Sequence, residues 1–231
     1  MTTLWRMPSF GGPGVAPRSQ HSGKSGRYHH GDLRAALIDC AVEVIAERGV
    51  RGFSMAEASR RLGVAVSAPY AHFTDRDELL AAVAVRAYEL FHAEIKAELD
   101  GVADPADRLA AIARGYVRFA AGHRPMFEVL YEAGLDMARH PEIKAAEQPI
   151  AEAFEQCVRA LTSDEQQAQG LAVALEATAN GHVLLFLDEA AERGEAAVAV
   201  AAERAVRATR ALIESRHLLG GDAVVPTTGP A

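Results

Sequence analysis

Gly49 to Leu80 reads GVRGFSMAEASRRLGVAVSAPYAHFTDRDELL, and this stretch decides the fold. Ser54-Met55-Ala56-Glu57 has the spacing of a capping box, in which the first side chain and the fourth satisfy backbone N–H groups at a helix start. Met55, Ala58 and Leu62 recur at helical spacing, Arg60 and Arg61 point elsewhere, and Gly63 ends the helix. Val64 follows at once, and a third short helix is expected over 66–73. Thr74 and Asp75 can cap the next helix, with Asp77 and Glu78 at the positive end of its dipole. Two short helices across a tight glycine turn, preceded by a longer helix, make a helix-turn-helix pattern at 54–73.

Working outward, the pattern stays helical. Leu33, Leu37, Ala41, Val44 and Ile45 mark one face of a helix over 32–48, capped by Asp32, with Arg48 at its negative end and Gly49 after it. Cys40 falls inside this helix and is expected to face inward and be inert. Residues 1–26, rich in Gly, Pro and Ser, read as a disordered arm. After Thr74, Leu79, Val83, Ala87, Leu90 and Phe91 carry a long helix to about Leu99. Asp104-Pro105 opens another, with Pro at the first position. Pro125 and Pro141 start two more, and Pro149 should kink or split the segment between Pro141 and Leu161. Thr162 or Ser163 caps a helix to about Glu192. After Gly194 a last helix runs from Glu195 to about Leu219, and Gly220-Gly221 begins a polar tail. No alternating pattern of useful length appears, so the fold class is all-α.

Hydrophobic residues make up 49% and charged residues 24% of the 231, which is the balance of a globular chain. No apolar run approaches the about 20 residues a bilayer requires, and no signal peptide is visible. The expected location is cytoplasmic, without membrane attachment. Two cysteines exclude a disulfide framework and a four-cysteine zinc site. The net charge of −7 hides an asymmetry: residues 1–83 sum to +2 and the remainder to −9. A basic front on an acidic back suggests two domains with different partners. There is no phosphate loop, nucleophile elbow or metal-spaced His/Cys set, and His29-His30 is too close in sequence for helical metal ligation. No enzyme, cofactor or metal is expected.

The quoted stretch resembles the DNA-binding domain of TetR-type transcriptional regulators. Gly49 closes the first helix, Phe53-Ser54 opens the second, Leu62-Gly63-Val64 forms the turn, and Pro69-Tyr70-Ala71-His72-Phe73 with Asp75-Arg76-Asp77-Glu78-Leu79-Leu80 completes the pattern over 31–91. Tyr28 to Arg34 is similar to a TetR subgroup named for a Trp-His-Gly motif. The motif positions align here with Glu176, Asn180 and Gly181, and only the glycine is kept. The resemblance implies an N-terminal three-helix DNA-binding domain at 31–91, a C-terminal helical ligand-binding and dimerisation domain at 92–220, and a flexible tail at 221–231.

It also implies a double-stranded DNA partner, a pseudo-palindromic operator read by a homodimer. The third helix fits a major groove about 12 Å wide. Val66, Ser67 and Ala68 stand at its exposed start: Ser67 suits a base edge, and Val66 and Ala68 suit a thymine methyl. No Arg or Asn stands there, so direct readout should be modest. Tyr70 and His72 suit phosphate oxygens, as the resemblance implies. Ser54 and Arg76 lie at helix N-termini, which favour phosphates. Arg27 and Tyr28 precede the first helix and can reach the adjacent groove or backbone. Arg60-Arg61 reads as a solvated face. Ala65 stands where the family often has a capping Ser, a loss of about 1 kcal/mol.

In a TetR-like fold Phe119, His123, Met126, Phe127, Tyr131, Phe154 and His182 would surround a pocket for a small apolar or amphipathic ligand, although any one of them reads equally as core. The last two helices, Ala-rich with Leu175, Val183, Leu187, Val198 and Leu212, would pair with their copies. The expected function is a homodimeric repressor released from its operator by that ligand. An activator, a ligand-independent regulator, and an all-α interaction module with a vestigial helix-turn-helix are the alternatives.

Overall fold

The computed structural model describes residues 33–219, without the side chains of 186–193. The expected arm, the Asp32 cap, Arg27, Tyr28 and the polar tail lie outside the described residues, as do the side chains of Phe186 and Leu187. Among the described residues there is no strand. Eight α-helices follow one another: α1 Leu33–Arg48, α2 Met55–Leu62, α3 Arg76–Leu99, α4 Pro105–Gly122, α5 Arg124–Glu132, α6 Pro141–Leu161, α7 Glu165–Arg193 and α8 Glu195–Glu214. Short 3₁₀ turns occupy Val50–Gly52, Ala68–Ala71 and Arg216–Leu218.

The chain forms two compact units. One holds residues up to 94 together with 122–149, the other 95–121 together with 150 onward. In the first, α2 and α5 both lie on α1, and α5 also touches the turn at Val50–Gly52. Leu37, Val44, Ile45, Leu79, Val83, Ala87 and Phe91 are buried here, at the spacing the sequence set. In the second unit α7 and α8 pack side by side. Its core includes Leu109, Ile112, Tyr116, Ile150, Leu171 and Ala205. Leu175 and Val183 are buried within this unit as well. At Gly170 a Cβ would stand 2.3 Å from the Leu219 carbonyl oxygen, so the segment ending the described chain closes on bare backbone.

Helix ends follow side-chain chemistry. Ser54 Oγ accepts the Glu57 N–H at 3.2 Å. Gly63, at φ 66°, ends α2 in the left-handed region, its N–H donating to Arg60 O and that of Val64 to Ser59 O. This 5→2 and 6→1 pair is a Schellman motif, which glycine completes without a Cβ clash. Asp75 Oδ1 accepts the Glu78 N–H at 2.8 Å, and Glu78 Oε2 accepts from Thr74 N–H and Oγ1 at 2.5 and 2.7 Å. Asp104 Oδ1 takes the N–H groups of Ala106 and Asp107, with Pro105 as the first residue of α4.

Four expectations need correction. The third helix over 66–73 is a 3₁₀ turn at Ala68–Ala71. Pro69 brings no N–H, and Ala65 offers no capping oxygen, so three-residue hydrogen bonds close the segment instead. Pro149 does not split α6, which runs unbroken through it; buried Ile143 and Ile150 hold the helix on either side of the missing donor. The cap of α7 is Asp164, whose Oδ1 accepts the Gln167 N–H at 2.8 Å, and not Thr162 or Ser163. The last helix stops at Glu214, and Arg216–Leu218 tightens into a 3₁₀ turn.

Candidate nucleic-acid interface

The turn after α2 is built by its own backbone. Ala68 N–H donates to Ala65 O at 2.9 Å, Tyr70 N–H to Ser67 O at 3.2 Å, and His72 N–H to Pro69 O at 2.9 Å. Three residues per turn put Pro69 inward, and Phe73 closes the segment at 1% exposure. Everything polar or small then faces out. Val66 is 63% and Tyr70 53% exposed, Ser67 and His72 are exposed, and Ala68 is half-buried. A large apolar residue and a tyrosine standing in water, on a turn anchored by a buried proline and phenylalanine, form a surface shaped for a partner. The Arg34 guanidinium of α1 lies 5.2 Å over the Phe73 ring. Nothing in the spacing of the sequence joins these two residues.

The cations around α2 are engaged internally. Arg60 Nε and Nη2 donate to Glu57 at 2.9 and 2.7 Å. Arg61 donates to Glu57 at 3.0 Å and reaches Glu47 of α1 with both terminal nitrogens. Arg48 adds a third contact to Glu57 at 3.2 Å. Hydrogen bonds from Arg60 and then Arg61 hold the Glu57 carboxyl down at about 2, far below its ordinary range. Arg61 through Glu47 and Arg48 through Glu57 therefore brace α1 against α2, while Arg60 stays on its own helix.

Arg76 is turned the same way. Its Nη2 donates to Val50 O at 2.7 Å and its Nε to Phe53 O at 3.2 Å, with the guanidinium 6.0 Å over the Phe53 ring. The side chain thus ties the start of α3 to the turn before α2. Ser54 is exposed beside it, its Oγ occupied by the cap. Asp75 Oδ2 accepts from Arg139 at 3.0 Å, which fixes the residues after α5 to the same end of α3.

The residues expected around a ligand fall on both units. His123, Met126, Phe127 and Tyr131 belong to the first. There Met126 and Phe127 are buried, Phe127 and Tyr131 meet at 4.5 Å between ring centroids, and His123 Nε2 stands 2.8 Å from Glu94. Phe119, Phe154 and His182 belong to the second. Phe119 and Phe154 are buried, and His182 Nδ1 lies 2.7 Å from the Thr178 carbonyl of its own helix. Two further polar contacts have no signal in the spacing of the chain. Tyr116 donates to Asn180 Oδ1 at 2.5 Å in the second unit. In the first, buried Tyr88 hydrogen-bonds Glu147, and burial, then that carboxylate, push its hydroxyl well above the usual range. Cys40 is buried, and burial followed by Glu43 raises its thiol to about 11.

Comparison with known proteins agrees with this geometry. A model of bacterial regulatory proteins of the tetR family matches residues 37–83, and one of the tetracyclin repressor-like C-terminal domain matches 109–209. The HTH-type transcriptional regulator Rv1816 of Mycobacterium tuberculosis is 32% identical over 101 residues, 43% of this chain and 43% of that one. The chain thus matches less than half the length of the curated relatives. A TetR-like transcriptional regulator from Rhodococcus sp. RHA1 superposes with a TM-score of 0.60 at 22% identity, over 84% of this chain and 100% of that one. AibR, solved with isovaleryl coenzyme A and operator DNA, gives 0.60 at 20% identity, over 76% and 96%. At such identities the two solved structures share the fold.

Proposed function

The chain belongs to the TetR family of DNA-binding transcriptional regulators, and from that premise we propose that it is a homodimeric repressor released from a pseudo-palindromic operator by a small apolar or amphipathic ligand. The observation that carries the reading is the turn at 66–73, which presents Val66, Ser67, Tyr70 and His72 to solvent above buried Pro69 and Phe73. Tyr70 and His72 donate to phosphates and set the register. Val66, Ser67 and Ala68 meet base edges, with a preference for thymine methyls. Arg27 and Tyr28 reach the neighbouring backbone from before α1, and the N-termini beginning at Ser54 and Arg76 add phosphate contacts. Two copies place these turns in successive major grooves, roughly 34–36 Å apart.

Residues 92–220 carry ligand binding and dimerisation in this reading, with Phe119, Phe154 and His182 of the second unit offered to the ligand. AibR was solved with an acyl-coenzyme A and operator DNA, which supports an acyl-bearing effector as the first class to try. The ligand releases DNA by binding better to a conformation whose two turns have the wrong spacing. Catalysis has no part in this function, and the protein acts in the cytoplasm; no helix among the described residues is long and apolar enough to cross a membrane.

The test is selection of bound duplexes from a random DNA pool by the purified protein at moderate salt. Recovery of a short inverted repeat supports the reading. Recovery of no sequence above the pool by a folded dimer sinks it.

A further inference from the structure

A DNA-binding unit needs cations for phosphates, and the described part of this one has few to offer. Arg48, Arg60 and Arg61 converge on Glu57, with Arg61 also on Glu47. Arg76 donates to two backbone carbonyls, and Arg86 pairs with Asp39. Among the described residues of 33–94 this leaves Arg34 and Arg51 without an acidic partner, both exposed. Only Arg34 is placed by a further contact. Its guanidinium lies over Phe73, the buried residue that closes the turn bearing Tyr70 and His72.

We propose that Arg34 is a phosphate anchor of this protein, held beside the turn by Phe73. A guanidinium 5.2 Å over an aromatic ring spends no N–H donor on a conventional hydrogen bond to that ring. Those donors form a fork which matches two phosphate oxygens. The contact with Phe73 also restricts the long side chain before DNA arrives, so less freedom is lost on contact. The inference rests on the DNA-binding reading above and adds to it a residue outside the expected set. It also bears on how an acidic chain holds a polyanion: an arginine with no acidic partner among the described residues stands next to the reading surface.

The experiment is the salt dependence of binding by the full chain. Two probes are used, a duplex recovered by the selection above and a duplex of unrelated sequence. Each phosphate contact removed lowers the slope of log Kobs against log salt by about 0.9. Arg34→Ala should lower it by about that much per protomer on both duplexes, with an unchanged urea midpoint. Arg34→Lys keeps the charge and should keep the parent slope. Arg60→Ala, removing an arginine already engaged by Glu57, should leave the slope alone. A parent-like slope for Arg34→Ala overturns the assignment while the DNA-binding reading stands. An equal fall for Arg60→Ala overturns it too, since engagement by acids would then not decide which arginines reach phosphate. If the unsubstituted protein binds neither duplex, the DNA-binding reading fails and this inference with it.

Discussion

Tyr70 and Ser67 stand three residues apart on one exposed turn, yet their chemistry assigns them different work. A phenol donates one hydrogen bond to an oxygen that every sequence presents, whereas a hydroxyl aimed at a base edge meets a different group at each base pair. Tyr70→Ala should therefore weaken binding to operator and unrelated duplex alike, by about 1 kcal/mol per protomer. Ser67→Ala should change the preferred base at one position and leave non-specific affinity intact. Competition titrations against both duplexes check the pair, and a Tyr70→Ala effect confined to the operator would contradict the phosphate role. Glu57 gives a prediction about stability. Its carboxyl is held down at about 2 by Arg60 and Arg61, so its contribution is complete above the ordinary carboxylate range and disappears as pH falls through about 2. Urea midpoints should drop between about pH 4.5 and 2, and Glu57→Gln should flatten that drop. The exposed start of the turn was legible in the sequence at Val66 and Ser67, whereas the inward position of Pro69 was not. Arg34 was not, because a guanidinium on an aromatic ring far along the chain leaves no spacing to read. The roles of Arg61 and Arg76 were hidden for the same reason: an exposed arginine reads as a phosphate contact or a solvated face until its acceptors are seen.

Capped helix ends were the most legible elements. Ser54, Asp75 and Asp104 each carry an oxygen at the position where the backbone has unpaired donors, and that chemistry is local. The element between α2 and α3 was misread because local rules conflict there. Helical spacing of exposed residues favours an α-helix, while Pro69 and the absent cap at Ala65 favour three-residue closure. Tertiary anchoring through Pro69 and Phe73 sets the outcome. At Pro149 the helix is not split, since one missing donor is offset by apolar burial along the rest of α6. Arg76 supplies the prediction at this scale. Two donors from one guanidinium satisfy the carbonyls of Val50 and Phe53 and join three elements. Arg76→Met keeps the aliphatic stem, removes the donor to Phe53 O and leaves Val50 O with only the Phe53 N–H, and should cost about 1–3 kcal/mol in urea unfolding. Its salt slope for DNA should remain that of the parent. A variant of full stability and reduced slope would return Arg76 to the phosphate contacts. The thiols give a control on these elements. Cys40 and Cys157 are both buried, so neither should react with a thiol reagent at neutral pH until denaturant is added.

For the whole molecule, the question is what covers the outer surface of the α7–α8 pair. Leu175 and Val183 pack within their own unit and leave nothing for a partner, whereas Val173, Leu184 and Leu185 on α7 and Val200 on α8 are exposed. Val173 and Leu184 are roughly three helical turns apart, on one side of α7. Scattered exposed apolar residues are ordinary on any surface; in the proposed dimer Val173 and Leu184, on one side of α7, are the ones a second copy would cover. The proposed dimer then predicts a mass twice the 24.6 kDa of the chain, and a charge on that face should halve it. Leu184→Arg places a guanidinium where the copies would meet, a buried unpaired charge against itself across the two-fold axis. The helical circular dichroism signal should persist, because Leu184 makes no core. Affinity for the inverted repeat should fall toward that of a half-site, on the order of a hundredfold or more, since the second turn no longer arrives tethered to the first. Sedimentation velocity and binding have to move together for the argument to hold. A variant that stays dimeric moves the interface off this face, and a monomer that still binds the repeat as tightly as the parent removes the reason for a dimer.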